Sequence, residues 1–140
     1  MKAALVLALA AATQGTSYVN VTASYVAPAR RGADAVITVQ LSPVDGSIRV
    51  NEDPAPRLKL EKDQELLAAK PQPRPSPRPP GGEPRYLDPL VPVAFPVTLS
   101  DRAPRGLHTV KGTVTYFYCS KTEGWCRKGT ADIEVPVRVP

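Results

Sequence analysis

The sequence predicts an all-β chain folded as an antiparallel β-sandwich. Short runs rich in β-branched and aromatic residues alternate apolar with polar positions, and turn signals separate them at regular spacing. Only one stretch has helix-forming composition, so about seven short strands account for most of the chain.

The first run, residues 18–26 (YVNVTASYV), and the second, residues 35–41 (AVITVQL), alternate as half-buried strands do and are separated by Pro28 and the Arg30-Arg31-Gly32 turn. Asp45-Gly46 makes the next turn. Ile48-Arg49-Val50 then begins a short extended piece, and residues 57–60 (RLKL) resume the alternation after Pro54 and Pro56. Prolines there place this part at an edge or a bulge. Residues 61–69 (EKDQELLAA) favour a helix by composition, but they run into Pro71, so at most a turn or two is expected. Residues 70–85 (KPQPRPSPRPPGGEPR) are basic, low in complexity and proline-rich, which favours extended polyproline geometry in an exposed loop. Residues 91–99 (VPVAFPVTL) return to strand composition, and residues 106–110 lead into a strand ending at Cys119. In that penultimate strand Val114, Tyr116 and Tyr118 share one face. Ile133, Val135, Val137 and Val139 share a face of the last, and these faces are the expected core.

Length and composition bound the organisation. The 140 residues allow one domain. Met1-Lys2, the apolar residues 3–12 and the small residues after them have the layout of a secretory signal peptide over residues 1–15, with cleavage between Ala12 and Thr16. The alternative is an uncleaved amphiphilic anchor. Residues 16–140 are then a single domain placed outside the cytoplasm, periplasmic or secreted. No second long apolar run follows, so electrons drawn from a membrane would come through a separate chain. The net charge of +5 lies largely in the proline-rich stretch rather than among stacking aromatics, which argues against nucleic acid as a partner.

The only cysteines, Cys119 and Cys126, flank a hairpin loop, Ser-Lys-Thr-Glu-Gly-Trp, in which Gly124 supplies a left-handed backbone position. Adjacent antiparallel strands bring the two thiols within bridging distance, so a cross-hairpin disulfide is expected. Closing so short a loop contributes about 2.5 kcal/mol by chain entropy, against about 4.7 kcal/mol for a loop of ~100 residues. A modest staple near a loop is also the kind of bridge that is easily reduced. A redox pair and a plain structural bridge are both open at this point. Lys121, Arg127 and Lys128 bring positive charge to the pair, Glu123 opposes them, and Trp125 either covers the disulfide, offers an apolar docking surface or packs at the hairpin end. The sole histidine, His108, would complete only a three-ligand metal site with the cysteines, and bridged cysteines do not bind metal. No Ser-His-Asp spacing, phosphate-binding glycine loop or CxxC motif is present. No cofactor and no small-molecule substrate is expected.

Phe95-Pro96-Val97-Thr98-Leu99, then Gly112-Thr113-Val114-Thr115-Tyr116 leading to Cys119, and the Trp125-Cys126 pair resemble the amino-terminal periplasmic domain family of the thiol:disulfide interchange protein DsbD. Upstream, residues 46–54 and 57–60 are similar to the stretch before that family's middle strands. The resemblance implies an immunoglobulin-like sandwich whose paired cysteines pass reducing equivalents between a membrane electron-carrier protein and thioredoxin-like proteins; the chain is expected to be a monomer. It makes Cys119 and Cys126 the redox pair and Tyr86 a residue of a cap loop over them. The competing expectation is a non-catalytic immunoglobulin-like interaction domain in which the same bridge only fixes the hairpin.

Overall fold

A computed structural model of the chain describes residues 18–28, 30–72 and 85–140. The expected signal peptide, and the proline-rich segment over residues 73–84, lie outside the described residues. Eight strands and no helix occur among those described: β1 (Val19–Val26), β2 (Asp34–Pro43), β3 (Ile48–Val50), β4 (Arg57–Leu60), β5 (Leu67–Ala69), β6 (Val93–Leu99), β7 (Gly106–Ser120) and β8 (Cys126–Val139). They form two antiparallel sheets. One has the order β1-β2-β6-β5; in the other, β7 pairs with β8 along one side and with β3 and β4 in succession along the other.

The inner faces follow from alternation. Val19, Val21, Ile37, Val39, Phe95, Val97 and Leu99 are buried from the first sheet. Val114, Tyr116, Tyr118, Ile133, Val135, Val137 and Val139 are buried from the second, the same faces the sequence marks as core. Burial of the apolar side chains, at about 25 cal/mol per Å², supplies the main driving force.

The last two strands are longer than the alternation alone suggests. β8 starts at Cys126 rather than near residue 130, because Arg127 and Lys128 extend it into solvent and break the apolar rhythm without breaking the ladder. Ser120 N donates to Trp125 O, so that pair is hydrogen-bonded and every second pair along the ladder alternates with it. Pro136, opposite Thr109, therefore occupies a non-hydrogen-bonded position, where its missing N–H faces the free edge of β8.

Residues 61–69 depart from the helical expectation. Leu67–Ala69 forms β5 against β6, and the Leu67 side chain is buried. Gln64 replaces the helix with a local clasp: its Oε1 accepts from Leu66 N (3.1 Å) and Leu67 N (2.9 Å), and its Nε2 donates to Leu67 O (2.6 Å). A segment this short gains too little from helix propagation to compete with burying Leu67 at the sheet edge. β5 ends where Lys70 N donates to Pro96 O and Pro96, lacking an N–H, returns nothing. Gln64→Ala removes the clasp and is expected to lower unfolding stability by about 1–2 kcal/mol, read from urea midpoints at unchanged slope; an unchanged midpoint would show β5 to be held by Leu67 alone.

Candidate functional site

The Cys119–Cys126 disulfide is formed, with sulfurs 2.07 Å apart and Cα atoms 4.0 Å apart. Its place follows from the ladder. Cys119 and Cys126 are directly opposite on β7 and β8, next to the hydrogen-bonded Ser120–Trp125 pair that closes the loop. The loop is tied by Gly124, at φ 74°, whose N–H donates to Ser120 O (3.0 Å), and by the buried Ser120, whose Oγ accepts from Glu123 N (3.1 Å). Lys121 N also donates to Ser47 O, joining the hairpin tip to the β2–β3 turn. In that turn the Asp45 carboxylate accepts from the Ser47 hydroxyl and backbone N–H, which hold its pKa below the usual carboxylate value.

Because Val114, Tyr116 and Tyr118 point into the core, Cys119 one residue on points out. The disulfide therefore lies on the outer face of the second sheet. Its two cysteines differ in burial: Cys119 is 6% exposed, whereas Cys126 is an exposed residue on an edge strand. The cover over Cys119 comes from the β3 side. Arg49 pairs with Cys119, and Asn51, whose N–H donates to Phe117 O (2.8 Å), brings its Oδ1 to 3.3 Å from Cys119 Sγ. The bridged sulfur has no proton, so this approach is a packing contact in the oxidised protein and becomes a hydrogen bond only when Cys119 is a thiol.

Nothing in the sequence singles out Asn51; it is found only once β3 is aligned with β7. Tyr86 stands on its far side, bridged to Asn51, with Glu52 N donating to Arg85 O and Leu87 N to Val50 O. Two strand spacings of about 4.8 Å, with two residues of rise from Phe117 to Cys119, put the Tyr86 backbone roughly 12 Å from that of Cys119. Trp125 takes the other face of the hairpin. Its ring meets Tyr18 at 5.1 Å and Tyr118 at 5.7 Å, both edge to face, and its Nε1 donates to Glu123. The Arg127 guanidinium stacks 4.1 Å from the Trp125 ring centre. Trp125 thus closes the end of the core, on the opposite side of the sheet from the sulfurs. His108 lies eleven positions from Cys119 along β7, roughly 37 Å away at strand rise, where its Nε2 pairs with Pro104 O. No family model, curated protein or solved structure matches the chain.

An S–H donated to Asn51 Oδ1 exists only in the reduced protein, so this amide favours reduction. Asn51→Ala is expected to shift the equilibrium with glutathione toward the disulfide about threefold to tenfold, equivalent to about 15–30 mV. Alkylation of free thiols after equilibration reads the shift directly; an unaltered constant would show Asn51 to be mere packing.

Proposed function

We propose that the chain is an extracytoplasmic thiol–disulfide exchange module that passes reducing equivalents through Cys119 and Cys126 to or from a thioredoxin-like or membrane electron-carrier protein. The observation that carries this reading is the asymmetry of the bridge: Cys126 is an exposed residue on an edge strand while Cys119 is buried. An incoming thiolate reaches Cys126 Sγ, and the Cys119 thiolate is the leaving group. The β7–β8 ladder supports the same reading, because it aligns the two cysteines whether or not they are bonded, so the reduced pair stays arranged for reoxidation. The resemblance to the amino-terminal DsbD domain, with its immunoglobulin-like fold and periplasmic site of action, belongs to this proposal, as do the leader over residues 1–15 and the cap role of Tyr86.

The test is the reduction potential of the mature protein, equilibrated against glutathione and dithiothreitol buffers. A value between about −180 and −270 mV, the range of exchange proteins, is expected. A bridge below about −300 mV would instead support the interaction-domain alternative, with a purely structural disulfide.

A further inference from the structure

We propose that the face carrying the disulfide selects an anionic thiol partner, one whose attacking sulfur is flanked by carboxylates. This inference rests on the exchange reading above and adds the chemistry of the partner.

The charges around the exposed Cys126 have one predominant sign. Arg49 stands directly across from Cys119 on β3, and Lys128 follows Cys126 by two residues on β8. Two residues of strand rise put Lys128 about 7 Å along the same face. Lys121 sits at the hairpin tip, whereas Arg127, opposite the inward Tyr118 and stacked on Trp125, lies on the other side of the sheet and does not face the sulfurs. Arg49, Lys121 and Lys128 are exposed, and none pairs with a carboxylate among the described residues; the Lys70–Asp34 and Lys111–Glu134 ion pairs lie elsewhere. Of the nearest acidic groups, Glu123 turns to the Trp125 indole on the other side of the sheet, Asp45 stands in the turn joined to Lys121 and offsets that lysine in part, Glu52 follows β3 beside Arg85, and Asp132 is six residues from Cys126, so Arg49 and Lys128 remain the charges beside the bridge. Cations thus flank the bridge from the β3 side, from the tip and along β8.

Such a ring of charge acts on the approach of the nucleophile. The attacking thiolate forms a bond to Cys126 Sγ as the Sγ–Sγ bond breaks, and the electron pair leaves on Cys119 Sγ, which then takes a proton from water. A second thiolate attacks the partner's sulfur in the mixed disulfide, releasing Cys126 as a thiolate and the partner as its disulfide. Two partner thiols are oxidised for each bridge reduced. Carboxylates beside the attacking sulfur add to the attraction at the encounter, and positive groups there oppose it.

Three small thiols probe this without knowledge of the natural partner: 3-mercaptopropionate, 2-mercaptoethanol and cysteamine, which carry a negative, a neutral and a positive group. Reduction of the folded protein is followed by acid quench, alkylation and mass measurement in the native chain and in Arg49→Glu/Lys128→Glu. Taking the ratio of native to variant rate constants for each thiol cancels intrinsic differences in nucleophilicity. At about 10 mM ionic strength, where screening is weak, the ratio is expected to exceed that of 2-mercaptoethanol about threefold or more for 3-mercaptopropionate and to fall below it for cysteamine. At about 1 M salt the three ratios should converge. Equal ratios at low salt would overturn the charge selection while leaving exchange itself intact. If no thiol reduces the bridge until the fold is lost, the exchange reading fails and the partner inference falls with it. Circular dichroism of the variant confirms that both chains are folded, and Arg49→Gln/Lys128→Gln, expected to give half the effect, serves if the glutamates perturb the sheet.

Discussion

Gly129→Ala is expected to destabilise the protein by about 2–3 kcal/mol, although alanine is ordinarily the better strand residue by about 0.5–1 kcal/mol. Gly129 pairs with Tyr116 across the β7–β8 ladder, and Tyr116 is fully buried with its ring laid over the glycine. A Cβ at position 129 would sit 2.6 Å from two ring carbons of Tyr116 and 2.9 Å from its hydroxyl oxygen. The ring cannot retreat into a close-packed core without displacing its neighbours, among them Tyr118 at 5.8 Å. Urea denaturation of Gly129→Ala, Tyr116→Leu and the double variant measures the coupling. The double variant should be more stable than the sum of the two single losses predicts, since a shortened residue 116 leaves room for the methyl. Strict additivity would mean that the glycine is needed for its backbone alone.

Phe95→Ala is the second large effect, expected to cost about 3–5 kcal/mol out of the 5–15 kcal/mol that holds a domain together. Phe95 is 3% exposed and lies opposite Ile37, where β6 and β2 form the middle of the first sheet. Removing the ring leaves a cavity that strands paired on both sides cannot close. The chain's other phenylalanine provides the control. Phe117 is on the outer face of β7, half-buried beside the disulfide side of the sheet, and Phe117→Ala should cost no more than about 1 kcal/mol. Comparable losses for the two would contradict the assignment of inner and outer faces.

The alternation that identifies Val114, Tyr116 and Tyr118 as core also fixes the orientation of Cys119, because a period of two leaves no choice for the next residue. The outward disulfide was therefore implicit in the sequence, whereas the inward Trp125 became legible only once β8 proved to reach back to Cys126 and carry the alternation through the hairpin. β5 was not. Residues 61–69 carry the composition of a helix, and only the unfilled edge of β6 and the clasp of Gln64 make Leu67–Ala69 a strand. Asn51 was hidden for a related reason: it reaches Cys119 from 68 positions away, through the antiparallel alignment of β3 with β7. Local pattern carries strand identity and facing, whereas the partner of each strand depends on where the rest of the chain returns.

That distinction also has a kinetic side. β7 and β8 are joined by a tight turn, so their ladder grows from contacts close in sequence, at little loop-closure cost. β2 and β6 must first close a gap of about 50 residues. The hairpin is accordingly the low-contact-order part of the molecule, and the register that ends at Cys119 and Cys126 rests on contacts local in sequence. Bringing the two cysteines face to face needs only this one element, so the geometry for the bridge does not wait on the pairing of the distant strands.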